Sequence, residues 1–154
     1  MVFNCSEQLA GIAELQFFLL TETDNWPLVI TDGNSGQVEF NQEPVSVEAI
    51  LKPDSIKVDV NKKQSSSGVL NQISIKMEFI TRSEALEQLM DQYENKPGVC
   101  LAKYNSEFQK LFGNNLEPLK MIFEVEEGGK IDDNASTIVM IKGETRKRPV
   151  YYTV

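Results

Sequence analysis

Histidine is missing altogether from the 154 residues. Its absence excludes Ser-His-Asp and Cys-His catalysis, zinc sites that use imidazole, and histidine proton relays. Cysteine occurs only twice. Cys5 and Cys100 stand outside any paired metal or redox spacing, so they read as thiols rather than a disulfide pair, with Cys100 packed as a small hydrophobe in Val99-Cys100-Leu101. Neither Gly-x-x-x-x-Gly-Lys-Ser/Thr nor Gly-x-Gly-x-x-Gly occurs, which leaves phosphate-cradling loops without support. Gly33-Asn34-Ser35-Gly36 holds a serine between glycines but lacks the spacing of a nucleophile elbow, and reads as a turn. No apolar run approaches the ~20 residues of a membrane span, and Met1–Ala10 has neither the basic start nor the apolar core of a secretory signal. The expectation is synthesis in a cytoplasm and no membrane contact. Positive charge is also scarce, 15 Lys and Arg against 23 Asp and Glu, a net charge of −8. Wrapping nucleic acid requires neutralised phosphates, so any contact with DNA should be non-adhesive. The one basic cluster, Arg146-Lys147-Arg148, has no interleaved aromatics and reads as a surface or subunit contact.

What the chain does contain is alternation. Ile56, Val58 and Val60 recur at period two, and so do Ile73, Ile75, Met77 and Phe79, which places each set on one face of a sheet. Between them Lys62, Lys63, Gln64, Ser65, Ser66, Ser67 and Gly68 can bury nothing. The segment 55–79 is therefore expected to be a hairpin with a long soft tip that becomes ordered where a neighbouring subunit supplies contacts. Upstream, Glu14–Leu20 is a strand candidate with apolar residues on both faces. Leu28–Thr31 and Gln37–Phe40 are short strands around the Asp32–Gly36 turn, and Trp26 beside Pro27 is a packing anchor. Pro27, Pro44 and Pro53 restrict this half to short strands and loops.

Thr81-Arg82-Ser83-Glu84 has the form of a capping box, so a helix is expected over about 82–95, with Leu86, Leu89, Met90 and Tyr93 as its apolar stripe. Pro97 ends it. Val99–Lys103 should be a strand and Ser106–Phe112 a brief helical turn closing at Gly113. Leu119, Met121, Phe123 and Val125 alternate with Lys120, Ile122, Glu124 and Glu126, a second strong strand signal. After a polar connection over Glu127–Ser136, Thr137–Gly143 is a strand buried on both faces. Together these predict a mainly β (α+β) protein: one domain over 1–154, a sandwich- or barrel-like sheet of seven or eight strands with a long hairpin and one packed helix.

Glu124, Glu126, Glu127, Asp132 and Asp133 form the one acidic concentration. They could bind a hard cation or act as paired acid and base. Glu124 and Glu126 alternate with core residues, however, and the solvated face of a strand already accounts for them. The chemistry-bearing alternative is a small carboxylate-based metal-binding module or enzyme. The main reading is no enzyme and no cofactor.

Several short stretches carry a resemblance. Leu111-Phe112-Gly113, Glu117-Pro118-Leu119, Gly128-Gly129, Ile138–Gly143 and Pro149-Val150-Tyr151-Tyr152 resemble small structural proteins encoded among the virion genes of phages and prophages of Bacteroidota. So does Cys5–Leu20, with Ala10-Gly11-Ile12 leading into a strand. These stretches cover about a third of the chain. The order of strands, long polar hairpin, helix and further strands is similar to tail tube proteins of long-tailed phages. That resemblance implies a virion structural protein in the tail, forming stacked homo-oligomeric rings, hexameric in the family, with other virion tail proteins as partners. The hairpin would reach the adjacent ring or subunit, and DNA would be a passing cargo repelled by channel-facing carboxylates among the acidic set. No motif fixes the tube family, so a head-tail connector or tail terminator ring stays an alternative.

Overall fold

A computed structural model describes residues 1–4, 11–52, 55–81, 83–126 and 136–153. It is mainly β, with one α-helix and an antiparallel sheet. In chain order the strands are β1 (Val2–Asn4), β2 (Ile12–Leu19), β3 (Thr23–Asp24), β4 (Glu39–Phe40), β5 (Lys57–Ser65), β6 (Gly68–Phe79), β7 (Pro97–Tyr104), β8 (Gln109–Phe112), β9 (Leu119–Glu126), β10 (Ser136–Thr145) and β11 (Val150–Tyr151). The helix α1 (Glu84–Tyr93) lies between β6 and β7, as the chain order predicts. Among the described residues no helix is long and apolar enough to cross a membrane.

The main sheet runs β1-β2-β7-β9-β10-β6-β5, and it forks at β7. One edge of β7 pairs with β2 along its length; the other pairs with β9 only at Pro97 and Gly98, then with β8 from Cys100 to Lys103. β11 adds to β8. The fork creates two layers, β1-β2-β7-β8-β11 and β9-β10-β6-β5. Their facing side chains, Phe3, Leu15, Phe17, Cys100, Ala102 and Phe112 against Ile73, Ile75, Met77, Phe79, Met121, Val139 and Ile141, share one core cluster. Phe3 stacks on Phe79 across the layers at 5.6 Å. Residues 45–52 close the far side: Val47 N donates to Val2 O in β1, and Lys52 N donates to Glu78 O in β6. The sandwich is thereby nearly barrel-like. Gly98 sits where β2, β7 and β9 meet, and a Cβ there would lie 2.5 Å from both the Phe18 carbonyl oxygen and Phe17 Cζ. Only glycine lets the three strands approach so closely.

The alternating stretches Ile73–Phe79 and Leu119–Glu126 are strands as the sequence implies, and the strand expected over Thr137–Gly143 is β10, which lies between β6 and β9. Cys100 is fully buried; Cys5 lies outside the described residues. Trp26 anchors a second cluster on the outer face of β2, β7 and β8, with Phe18, Val99, Leu101, Leu111 and Val150, and its Nε1 donates to Thr23 Oγ1 at 2.8 Å.

Four local expectations are corrected. The helix is capped by Ser83, whose Oγ accepts from Leu86 N at 3.1 Å, and spans ten residues rather than starting at 82. Thr81 is committed elsewhere: its Oγ1 accepts from Ile50 N and its carbonyl from Thr137 Oγ1, so it fastens residues 45–52 and β10 to the helix entry. Gln109–Phe112 is a strand and not a helical turn, because β7 and β11 supply partners on both sides. Leu28–Thr31 forms no strand; Thr31 N donates to the Asn34 side chain, and the turn takes up the backbone groups a strand would need. The hairpin tip is not a long loop. Lys62, Lys63, Gln64 and Ser65 are laddered to Asn71, Leu70, Val69 and Gly68, and only Ser66 and Ser67 form the turn. Gly68, at φ +110°, takes a backbone that other residues rarely adopt, and Ser65 Oγ donates to its carbonyl at 3.0 Å.

Candidate functional site

The two ends of the sandwich differ. At one end Leu86, Met90 and Tyr93 of α1 join the core, with Tyr93 edge-on to Phe17 at 6.5 Å and Leu89 half-buried beside them. At the other end, among the described residues, no helix covers the gap between the β5–β6 hairpin and β8–β11. A groove of about 650 Å³ opens there. Ile12 and Phe112 line it together with Val58, Val60, Lys62 and Asn71 on the hairpin side, and Tyr104, Lys110, Arg148, Pro149 and Tyr151 on the other. Asn71 is buried, its Nδ2 donating to the Thr145 and Arg146 carbonyls.

Among the described residues the lining holds three cations and no carboxylate, in a chain of net charge −8. Lys110 lies 5.1 Å from the centre of the Tyr151 ring, within cation–π range. Phe108 stacks on Tyr104 at 4.5 Å and meets Tyr151 edge-on at 5.7 Å, so the aromatic wall is braced from behind. Burial pushes the Tyr104 hydroxyl above its ordinary pKa. Arg148 is held by Asp32, Nη2 to Oδ2 2.7 Å, and the Asp32 Oδ1 also accepts from Tyr151 N at 2.9 Å. The Arg148 guanidinium, with the Tyr151 amide, holds the Asp32 carboxyl below its ordinary value. Ser35 Oγ donates to Tyr151 O at 2.7 Å, so the 32–35 turn clamps β11 in place.

The basic run 146–148 thus has aromatic company after all: Tyr151 and Tyr104 stand beside Arg148 and Lys110 in the fold. The signal in the sequence was Tyr151-Tyr152 directly after the run, but Lys110 and Tyr104 arrive from other strands.

The hairpin projects beyond the sheet. Its pairing with β10 ends at Asn71↔Thr145, while the β5–β6 ladder continues three rungs further to Ser65↔Gly68, roughly 10 Å of strand. Val69 on this extension is 52% exposed and Val60 at the groove 39%. β5 is the edge of the sheet, with its outer hydrogen-bonding groups presented alongside Lys57, Lys62 and Lys63.

Glu124 and Glu126 are exposed on the outer face of β9, as the alternation predicts, opposite Ile138 and Ser136. The same face of β5, β6, β9 and β10 also carries Lys57, Lys63, Lys76, Lys120 and Lys142 beside Asp59, Glu78 and Glu144, so its charges are mixed rather than acidic. Glu127, Asp132 and Asp133 lie outside the described residues. Among the described residues no group of carboxylates and cysteines is placed to hold a metal ion.

Compared with family models, curated proteins and solved structures, the chain matches none.

Proposed function

We propose that this protein is an assembling structural subunit of a phage tail, most economically of the tail tube, with no chemistry of its own. The observation that carries this reading is the β5–β6 hairpin, a paired ladder that runs past its own sheet with exposed Val60 and Val69 and an open edge strand. A lone protruding hairpin gains little from three unsupported rungs, whereas a neighbour packed against it would bury both valines and pair the edge. A neck connector or tail terminator would use the same hairpin in a single ring. The set Glu124, Glu126, Glu127, Asp132 and Asp133 would keep DNA from adhering in a channel. In that role Glu124 and Glu126 act together with the chain's net charge, since their own face also carries lysines.

The groove suits a second reading, a small binding module. Its volume is that of small-molecule sites, and its cations and aromatic wall would take a planar anion.

Shortening the hairpin separates the readings. Deleting Lys63-Gln64 together with Val69-Leu70 moves the turn down two rungs and preserves which side chains face inward. The variant should fold with unchanged thermal stability but fail to form the rings or tubes expected of the intact chain in negative-stain microscopy. If the shortened chain assembles normally, the hairpin is not the assembly element. If the intact chain stays monomeric at high concentration and with its virion partners, the structural reading falls.

A further inference from the structure

All of the chain's net charge lies in its first third. Residues 1–51 contain eight carboxylates and no Lys or Arg, while the remainder is balanced at 15 of each sign. Part of this acid is gathered on a small ribbon. β3 and β4 pair so that Asp24 stands directly opposite Glu39, both exposed. Among the described residues no cation is paired with either. Like charges directly opposite across two strands are destabilising, so the isolated subunit carries a local repulsion that no described cation relieves.

The complement is the groove, whose described lining gathers cations and holds no carboxylate. Its lining belongs to the inner face of the β2-β7-β8 layer, where Ile12 and Phe112 join the central core. The ribbon lies on the outer face, where Phe40 of β4 packs on Phe18 at 4.8 Å. Because the two sit on opposite faces of one layer, a chain cannot insert its own ribbon into its own groove. A second copy can. Such a contact joins different surfaces of the two partners, and repetition of it generates rings or stacked filaments.

Resting on the assembly reading above, we infer that the groove at Lys62, Lys110 and Tyr151 receives the Asp24–Glu39 ribbon of a neighbouring copy. Lys62 and Lys110 supply the charge, since Arg148 is already held by Asp32. Tyr151 supplies a flat apolar wall. The partner is a second copy because the same chain carries both the surplus cationic groove and the unrelieved acidic ribbon.

Reciprocal charge reversal tests this. K62E/K110E and D24K/E39K are each expected to fold, and each alone to self-associate at least about tenfold more weakly than the parent by sedimentation velocity, because like charges then face each other across the interface. Mixed in equal amounts, the two variants pair a reversed groove with a reversed ribbon and an intact groove with an intact ribbon, so assembly returns. Should either variant fail to fold, K62Q/K110Q and D24N/E39N take its place, each expected to weaken assembly. Variants that assemble like the parent, or a mixture of folded reversals that stays apart, overturn this contact while leaving assembly by the hairpin standing. A parent chain that never self-associates overturns both.

Discussion

At the scale of single residues the structure makes sharply unequal demands on its glycines. A methyl at Gly98 would meet the Phe18 carbonyl oxygen and the Phe17 ring at 2.5 Å, contacts that backbone in a sheet cannot relax away. Gly98→Ala should therefore destabilise by about 3 kcal/mol in urea melts, at the upper end for overpacking. Gly68→Ala meets nothing within 4 Å, and its cost arises only from φ +110°. About 1 kcal/mol is expected, felt at the hairpin turn as faster amide exchange more than in the global melt. Asp32 sets a pH dependence of known sign. Its folded pKa lies below its unfolded value because Arg148 and the Tyr151 amide favour the carboxylate. The contribution is fully present above the ordinary Asp value of about 4 and is lost as pH falls through the lower folded value. Because the pair is solvent-exposed, global stability should change little. The check is local: the Tyr151 amide, which donates to Asp32, should lose exchange protection in acid, and Asp32→Asn should lose part of it at neutral pH.

At the scale of elements, alternation was the legible signal wherever one strand face is buried. Ile73, Ile75, Met77 and Phe79 are all buried, and so are Leu86, Met90 and Tyr93 at helical spacing. The helix makes this quantitative. Met90→Ala should cost about 3 kcal/mol and half-buried Leu89→Ala about 1, with Ser83→Ala costing about 1 through the lost cap. Equal losses at Leu89 and Met90 in denaturant melts would mean that the helix rolls its stripe differently. Two segments were misread because their conformation is imposed from outside. Gln109–Phe112 has no clear period, and becomes a strand only because β7 offers a free edge and β11 the other partner. Leu28–Thr31 is apolar enough for a strand, but the Asn34 side chain bonds at both Val29 and Thr31, and only Ile30 is buried in the second cluster. The Lys62–Gly68 tip looked like a loop because polar strand residues at an unburied edge lack the apolar half of the pattern. The groove could not be read at all. It draws Ile12 from β2, Val58 and Lys62 from β5, Lys110 from β8 and Arg148 from the loop before β11, elements far apart in sequence.

At the scale of the whole molecule, the segregation of charge predicts opposite responses to salt for folding and for the proposed assembly. Within one subunit the eight carboxylates of residues 1–51 have no Lys or Arg in that segment to offset them, and Asp24 faces Glu39. Their repulsion acts over the Debye length, about 30 Å at 0.01 M salt and about 10 Å at 0.1 M, so added salt should stabilise the isolated subunit. A gain near 1 kcal/mol corresponds to about 2–4 °C in the melting midpoint of a domain this size. It should be visible when the chain is dilute enough to be monomeric, and smaller in D24N/E39N. In the proposed contact between copies Asp24 and Glu39 would be attracted to Lys62 and Lys110, and there salt would screen a favourable term. Self-association measured by sedimentation should weaken over the range of salt that raises the monomer's midpoint. A contact dominated by Val60 and Val69 on the hairpin predicts the reverse, because burial of apolar surface is indifferent to moderate salt and strengthened by salts such as sulfate. Association that holds or tightens with salt would therefore leave the hairpin as the assembly contact and remove the ribbon from the groove.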